Sequence, residues 1–313
     1  MDQVKLNAIG VVCAGSITYN SPRDLCLPRY FVPELPEVET IVRDLRPALL
    51  QRRVTSVRVG SRQLRRPWRR QWGARLIGRR ISEVRRRGKW IVLVFDDRMH
   101  LVFHLGMTGQ LRVTPANEPL ADHTHVVLDL GHRQQLRFRD VRRFGSATLF
   151  TEPSLMERFF HNAALGPEPF DLDRAYWRQR LASTARFLKA VLLDQRVVAG
   201  VGNIYADEAL FEARLHPTRR GRQLRYVEAE RLRRAIVTVL RRAIQRRGST
   251  IRNYVGGSGR TGSYQHEFRV YGRTGQPCTR CGKPIERLRL AGRSTHYCPR
   301  CQRARLTVPG SRG

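Results

Sequence analysis

Apolar residues recur at helical spacing just after residue 33. Five of them fall at intervals that place them on one helix face: Val38, Ile41, Val42, Leu45 and Leu49. Pro36 is tolerated in a first helical turn, and Glu34 and Glu37 suit the positive end of the helix dipole. The pattern predicts an amphipathic helix that begins near Pro33.

Short runs that mostly alternate apolar and polar residues follow this helix, with turn residues between them. The runs are Val54–Val59, Ile81–Val84, Trp90–Phe95, Leu101–His104, Gln110–Val113, His125–Leu130, Gln135–Phe138 and Ser146–Phe150. A period of two is typical of strands that are buried on one face. This succession of short strands predicts a β-sandwich or barrel.

After about residue 155 the apolar spacing becomes helical again. The clearest stripe, ended by Gly248, consists of Leu232, Ala235, Ile236, Val239, Leu240, Ala243 and Ile244. The segment Leu165–Pro169 contains two prolines, which oppose helix continuation and indicate a hinge. The longest apolar runs stay well below the 18 residues of a membrane-spanning helix, so we expect no contact with a membrane.

Four of the six cysteines form two knuckles near the C-terminus. Cys278-x2-Cys281 and Cys298-x2-Cys301 are separated by 16 residues. Each knuckle offers two thiolates to a tetrahedral ion, and four protein ligands leave no open position. The spacing predicts one structural Zn²⁺ with no catalytic role, and redox pairing is the less favoured reading.

The charge of the chain favours a polyanionic partner. Lys and Arg number 59 against 26 Asp and Glu, which gives a formal net charge of +33 over 313 residues. Nucleic acid is the first candidate, and a generally basic binding protein is the alternative that charge alone leaves open. Only four of the 59 basic residues are lysine, so Lys89 and Lys189 are candidates for positions that need an amine.

A set of motifs, in order along residues 33–302, resembles the bacterial formamidopyrimidine-DNA glycosylases. The motifs are Pro33–Thr40 (PELPEVET), Arg87–Lys89 (RGK), His104–Gly109 (HLGMTG), Arg142–Gly145 (RRFG), Leu165–Pro169 (LGPEP), Gly200–Ala209 (GVGNIYADEA), Val270–Gly272 (VYG) and the four cysteines. The resemblance implies an α+β multidomain fold, with an N-terminal β-sandwich, a helical helix-two-turn-helix domain and a C-terminal four-cysteine zinc finger.

The resemblance also gives expected domain boundaries. An extension, 1–32, precedes a catalytic β-sandwich domain, 33–155, and a linker, 156–170. A helix-two-turn-helix DNA-binding domain with a lesion loop follows over 171–264, and Gly256–Gly262 is expected to belong to that loop. A zinc finger spans 269–303 and a tail 304–313.

The resemblance implies removal of oxidised purines such as 8-oxoguanine and formamidopyrimidines, followed by strand cleavage through β,δ-elimination. The nucleophile would be the secondary amine of an N-terminal proline, which attacks the sugar and forms a Schiff base. Here Pro33 is internal, and its amide nitrogen is not nucleophilic. We therefore hypothesise that Val32 is the true start, read from a GTG codon and removed to expose Pro33.

Other site residues are assigned by the same resemblance. Glu34 is expected to act as general acid and base, with Glu37 supporting it. Lys89 is expected to donate a proton in β-elimination, and Arg293 to act in δ-elimination and contact phosphate. Simple phosphate binding is the alternative for both cations.

The resemblance implies two further groups of DNA-binding residues. Met107, Arg142 and Phe144 match a triad that fills the space left by an everted base. The residues expected to hold backbone phosphates are His104, His123, Lys189 and Asn203. Asn203 is also expected to begin a helix, where backbone N–H groups converge on an anion.

Two other functions remain open on the sequence. An endonuclease VIII-like glycosylase would act on oxidised pyrimidines with the same architecture, although Leu35–Thr40 favours the purine branch. A non-catalytic zinc-finger lesion binder would result if Pro33 stays blocked. In each case the partner is duplex DNA with oxidised bases or abasic sites, and we expect a monomer in a bacterial cytoplasm, associated with the nucleoid.

Overall fold

The computed structural model describes residues 32–249 and 261–304. The expected extension up to Phe31 and most of the glycine-rich segment Gly256–Gly262 lie outside these ranges. The N-terminal lobe contains α1 Leu35–Leu49, β1 Ser56–Val59, α2 Gln71–Leu76, β2 Ile81–Arg87, β3 Trp90–Phe95, β4 His100–His104, β5 Gly109–Pro115, β6 Thr124–Asp129, β7 Gln134–Asp140 and β8 Ser146–Phe150. The chain continues with α3 Pro153–Asn162, α4 Arg174–Ala182, α5 Leu188–Leu193, α6 Asn203–Glu212, α7 Tyr226–Gln245, β9 Glu286–Leu290 and β10 Arg293–Tyr297.

The N-terminal lobe is a sandwich of two four-stranded antiparallel sheets. One sheet has the strand order β1-β6-β7-β5, and the other has the order β2-β3-β4-β8. Alternate residues of the strands meet between the sheets, where Phe103 and Phe138 contact each other edge to face at 5.4 Å. Helix α1 covers this core with the predicted stripe, from Val38 to Leu49. The structure thus confirms the predicted sandwich.

The second lobe is helical. Its core is formed by α4, α5, α6 and α7, and Trp177 is buried in it with its indole N–H donating to the Ala229 carbonyl at 2.9 Å. The predicted stripe lies on the buried face of α7. The helix ends at Gln245, three residues before the expected Gly248, which adopts a left-handed conformation with φ +75°.

The predicted linker 156–170 is not free of secondary structure. Helix α3 extends to Asn162 because its apolar face, which includes Met156 and Phe160, packs on the outer side of the β2–β3–β4–β8 sheet. Phe159 also contacts the Trp90 ring edge to face at 5.3 Å. The boundary expected at residue 155 therefore falls inside a helix that belongs to the sandwich lobe.

The cysteine module is a β-hairpin, β9–β10, docked on α6. Asp207 and Glu208, consecutive residues of α6, are both buried and both accept hydrogen bonds from the module. Asp207 accepts from the backbone N–H of His296 at 2.9 Å, and Glu208 from that of Tyr271 at 2.8 Å. Gln302 donates to the Leu215 carbonyl at 2.9 Å. These contacts hold the hairpin against the helical lobe.

Within the ranges 32–249 and 261–304, none of the helices has the length and apolarity needed to cross a lipid bilayer.

Candidate active site and nucleic-acid interface

The first turn of α1 lies where the two lobes meet. The Leu35 N–H donates to the Gly200 carbonyl at 3.0 Å, and the Leu35 side chain is part of the helical core. Gly200 has φ +86°, and a Cβ there would lie 2.5 Å from Leu35, so glycine is needed for this approach. Pro33, directly before this turn, is buried at the same junction.

Glu34 is a buried carboxylate at the N-cap of α1. It accepts the backbone N–H of Ile204 at 2.9 Å and that of Tyr205 at 3.4 Å, both in the first turn of α6. Burial raises its pKa to about 7, against the opposing attraction of Lys89. A carboxyl group with this pKa exchanges protons readily at neutral pH, as general acid–base catalysis requires.

Glu37 supports Glu34 from one turn further along α1. Its carboxylate accepts the Glu34 N–H at 3.0 Å and the Tyr205 hydroxyl at 2.5 Å. It also accepts the backbone N–H of Ser249 at 2.8 Å and the Ser249 hydroxyl at 2.9 Å. The Glu37 carboxylate therefore connects α1, α6 and the segment that follows α7. Burial raises its pKa, and the hydrogen bonds that it accepts oppose this shift.

Lys89 occupies the tight turn between β2 and β3. The preceding Gly88 adopts φ +57° and donates its N–H to Glu168 at 2.6 Å, and Arg86 donates to the same carboxylate at 2.7 Å. Glu168 thereby fixes the turn that carries Lys89. Burial lowers the pKa of the Lys89 ammonium, and Glu34 and Glu37 oppose that shift.

Glu34, Lys89 and Arg293 line one cavity of about 450 Å³. Val32 and Asn203 also line it, so the cavity lies beside Pro33 and at the N-terminus of α6. Arg293 is the first residue of β10 and reaches the cavity from the cysteine hairpin. The structure thus brings three expected catalytic side chains together next to Pro33.

The triad residues lie on two adjacent loops of the sandwich. Met107 lies in the β4–β5 loop and is half-buried, whereas Arg142 and Phe144 are exposed in the β7–β8 loop. The Arg142 guanidinium lies 4.6 Å from the centre of the Phe144 ring, a cation–π contact. A large apolar side chain that is 44% exposed next to arginines is available for insertion into a base stack.

His104 ends β4, and its ring contacts that of Trp90 in a tilted arrangement with ring centres 4.6 Å apart. Its Nδ1 accepts the Gly106 N–H at 3.0 Å, which leaves Nε2–H as a donor. Burial, with Lys89 and Arg65 nearby, lowers its pKa to about 4, so the ring is neutral at pH 7. His123 is half-buried in the loop before β6, with φ +66°.

Lys189 departs from the expected direct phosphate contact. Its side chain is fully buried, and its ammonium donates to Asp207 at 2.6 Å and to the Asn203 carbonyl at 2.8 Å. Every donor direction points into protein, because the helical lobe closes around α5 and α6. Asn203 begins α6, as expected, and lines the cavity. Lys189 therefore supports the Asn203 backbone from the side that faces away from the cavity.

The four cysteines converge as predicted. Their Sγ atoms all lie within 4.8 Å of one another, with Cys278 and Cys301 3.9 Å apart and Cys281 and Cys298 3.5 Å apart. A tetrahedral Zn²⁺ with Zn–S bonds of about 2.3 Å requires S–S separations of about 3.8 Å. All four are free thiols, so the arrangement suits a metal ion.

Comparison with known protein families agrees with this geometry. The profile "Formamidopyrimidine-DNA glycosylase N-terminal domain" matches residues 32–147, "Formamidopyrimidine-DNA glycosylase H2TH domain" matches 165–255, and "Zinc finger found in FPG and IleRS" matches 275–304. A formamidopyrimidine-DNA glycosylase of Desulforamulus reducens is 45% identical over 284 residues, covering 88% of this chain and all of the relative. The chain belongs to the formamidopyrimidine-DNA glycosylase family.

Solved structures of the family show the same fold. A complex between Lactococcus lactis Fpg and DNA containing an abasic site has 35% sequence identity and a TM-score of 0.80, covering 87% of this chain and 100% of the other. A mutant of the same protein in complex with DNA containing Fapy-dG gives 36% identity and a TM-score of 0.82, with the same coverage. These comparisons confirm the expected α+β architecture.

Several residues that organise the site were missed by the sequence analysis. Tyr205 bonds to Glu37, Glu168 holds the Lys89 turn, and Asp140 lies between the loops of the triad. Tyr205 and Glu168 fall within motifs quoted above. Nothing in the sequence indicates that Tyr205 contacts Glu37, 168 positions earlier, or that Glu168 contacts Gly88, 80 positions earlier.

Proposed function

We propose that this member of the family removes oxidised purines, 8-oxoguanine and formamidopyrimidines, from duplex DNA and then cleaves the strand by β,δ-elimination. The observation that carries the proposal is Glu34, a buried carboxyl group with a pKa of about 7 that lies next to Pro33. A cavity lined by Glu34, Lys89 and Arg293 supports chemistry at Pro33, directly before the first turn of α1.

The proposed reaction needs Pro33 as a free secondary amine, which requires a mature chain that begins at Pro33. Its nitrogen forms a bond to the sugar C1′, and the base leaves with the electron pair of the bond from C1′; the proline nitrogen loses its proton and the departing base gains one. The sugar ring then opens as Glu34 delivers a proton to O4′, which leaves an iminium ion. Val32 lines the cavity, so a chain still joined to Pro33 occupies space that the sugar needs.

The two cations support the elimination steps in this proposal. Loss of a C2′ proton breaks the C3′–O bond, and loss of a further sugar proton breaks the C5′–O bond, so that phosphate leaves from both sides. Lys89 has a lowered pKa and suits proton transfer, while Arg293 keeps its charge and suits phosphate binding.

The proposed duplex contacts come from both lobes. Met107, Arg142 and Phe144 enter the base stack, and His104, His123 and Asn203 donate hydrogen bonds to phosphates, with Lys189 supporting Asn203. The cysteine hairpin is proposed to hold a single structural Zn²⁺, which keeps β10 and therefore Arg293 in place. We propose a monomer that acts on the bacterial nucleoid.

The first experiment determines whether Pro33 is freed and reactive. The N-terminus of the purified protein is sequenced, and the protein is incubated with borohydride and a duplex that contains 8-oxoguanine opposite cytosine. We expect a chain that begins at Pro33 to form a covalent DNA adduct, because only a free amine forms a reducible iminium. A stable, active chain that begins at Met1 would refute the proposal.

A second experiment tests the substrate. We expect faster excision from the 8-oxoguanine duplex than from a matched thymine glycol duplex. Pro33→Gly should weaken base excision, whereas Lys89→Ala should preserve DNA binding. Preference for thymine glycol would support the pyrimidine reading, and salt-sensitive binding without any adduct would support a non-catalytic lesion binder.

A further inference from the structure

Asp140 is a fully buried carboxylate at the end of β7, between the two loops that carry the triad. Its Oδ2 accepts the Gly145 N–H at 2.7 Å, and its Oδ1 accepts the Arg142 N–H at 3.3 Å. Its Oδ1 also accepts the hydroxyl of Thr108, a neighbour of Met107. One carboxylate thus bonds to the Met107 loop and to both ends of the Arg142–Phe144 segment.

The Thr108 hydroxyl makes a second connection between the same loops. It donates to Asp140 and accepts the backbone N–H of Arg142 at 3.1 Å. The hydroxyl therefore bridges the carboxylate and the first residue of the opposite loop. Removal of its oxygen alone would leave the Arg142 N–H with only its longer contact to Asp140.

The backbones of the two loops also touch. Gly106 has φ +60°, and a Cβ at that position would lie 2.6 Å from the Phe144 carbonyl carbon and 2.7 Å from the Gly145 nitrogen. A Cβ at Gly145 would lie 2.6 Å from the His104 carbonyl oxygen. With this contact the loops have little room to shift independently.

The backbone of Asp140 also bonds to the loop before β6, which carries His123. Its N–H donates to the His123 carbonyl at 3.0 Å, and its carbonyl oxygen contacts Nε2 of the buried His125 at 2.9 Å. Asp140 is therefore hydrogen-bonded to Arg142 and His123 themselves, and to the residues that follow Met107 and Phe144 in the chain.

We infer that Asp140 and Thr108 are positioning residues that lock the Met107 loop to the Arg142–Phe144 loop, so that the three side chains enter the duplex as one unit. The inference rests on the proposed function, since it assumes that these side chains replace an everted base. Rigid coupling lowers the entropy cost of insertion, because two loops are ordered before DNA arrives.

The test uses Thr108→Val, which removes the bridging oxygen and conserves shape. The borohydride-reactive form of the protein is given two duplexes, one with 8-oxoguanine opposite cytosine and one with a preformed abasic site opposite cytosine. A lost hydrogen bond of about 1 to 1.5 kcal/mol corresponds to roughly a 5- to 10-fold change. We expect the ratio of 8-oxoguanine excision to abasic-site cleavage to fall by about that factor, because only the first substrate requires eversion of a base.

Thr114→Val is the matched control. Thr114 is a buried residue of β5 in the same lobe, and its hydroxyl has no hydrogen-bond partner among the residues that the structure describes. We expect its ratio to equal that of the wild type. Asp140→Asn should lower the ratio further, because an amide N–H₂ would face the Gly145 N–H.

A second readout does not depend on base excision. The fluorescence of 2-aminopurine next to an abasic site should rise when the wild type unstacks it, and should rise less with Thr108→Val at saturating protein. An equal rise in both proteins, or equal losses of Thr108→Val on the two duplexes, would overturn the inference. Fluorescence changes without any excision by the wild type would instead count against the proposed function alone.

Discussion

Burial governs how the ionisable side chains of the cavity behave. It raises the pKa of Glu34 and lowers that of Lys89, so both groups move toward neutral pH. Their mutual attraction opposes both shifts. Of the two groups, Glu34, with a pKa of about 7, changes its protonation near neutral pH.

The pKa of Glu34 predicts a pH dependence. Since Glu34 acts as an acid in the proposed ring opening, base excision should fall as pH rises through about 7. We expect Glu34→Gln to lose at least about 100-fold in excision and to lose this limb of the profile. Single-turnover rates from pH 5.5 to 9 measure both effects, and an unchanged limb in the variant would assign the titration to another group.

The same carboxyl group affects folding stability in a defined direction. Its pKa is raised from 4.5 to about 7 in the folded chain, so the folded state binds more protons than the unfolded state between these values. The contribution of Glu34 to the free energy of unfolding therefore decreases as pH rises from about 4.5 to 7. In Glu34→Gln, the free energy of unfolding from denaturant titrations at several pH values should decrease less between pH 4.5 and 7 than in the wild type.

At the residue scale, the sequence predicted the groups that belong to motifs but not the partners that hold them. Glu34, Lys89 and Arg293 line one cavity and the four cysteines converge, while the catalytic roles of the first three stay predictions. Lys189 is buried and paired with Asp207, which the sequence did not predict, because burial depends on how α5 and α6 pack and residue type does not reveal it. Asp140 was missed because a carboxylate at a strand end has the same sequence signature whether exposed or buried.

Among the elements, the β2–β3 turn depends on a residue from the hinge. Glu168 accepts hydrogen bonds from Gly88, Arg86 and Arg87, with side-chain exposures of 8% and 30% for the two arginines. The prolines of the hinge, Pro167 and Pro169, restrict the backbone on either side of Glu168. The hinge thus serves as a fixed support for Lys89.

Glu168→Gln is expected to loosen this turn. Loss of charge-assisted hydrogen bonds should destabilise the protein by about 1 to 3 kcal/mol. Displacement of Lys89 should slow strand cleavage about tenfold while base excision changes less, since the first step of the proposed reaction relies on Pro33 and Glu34. Product analysis of abasic and intact lesion duplexes separates the two steps.

Glu83→Gln provides the control for this prediction. Glu83 lies on β2, the strand that leads into the Lys89 turn, and pairs with Arg85 at 3.8 Å. Both side chains are exposed, so this ion pair contributes little to stability. If Glu83→Gln and Glu168→Gln slowed strand cleavage equally, the effect would come from the change in charge and not from the hydrogen bonds between Glu168 and the turn.

The sequence predicted strands better than short helices. All eight strand runs overlap strands in the structure, because short apolar or alternating runs bounded by turn residues are typical of strands that a sandwich buries. Helix α2 has six residues and α3 has one fully buried residue, so neither shows a readable stripe. Both form because tertiary contacts stabilise them, through Trp72 and Leu76 for α2 and through Met156 for α3.

For the whole molecule, two hydrophobic cores share one helix. Leu35 belongs to the helical core, whereas Val38 and the later residues of α1 belong to the sandwich. Asp44 of α1 also pairs with Arg247 at 2.7 Å. The relation between the lobes is therefore set by the same helix that carries Glu34.

Leu35→Ala is expected to affect the site more than its stability cost implies. Truncation should destabilise the protein by about 2 to 5 kcal/mol and leave space behind Glu34. Leu45→Ala, one of the sandwich-facing positions of the same helix, should cost a similar amount. At a temperature where both variants are folded, excision should be slowed at least about tenfold more by Leu35→Ala. Equal rates would show that the junction tolerates the change.

The shared helix has a consequence for exchanging parts between members of the family. A chimera that joins the sandwich of one relative to the helical lobe of another, with its crossover in the segment 151–165, would leave Leu35 facing a foreign Gly200 and Glu34 facing a foreign Ile204. The parts that must be exchanged together are therefore not contiguous in the chain. Residues 33–37 need to come from the same parent as α6 if the chimera is to keep a working acid.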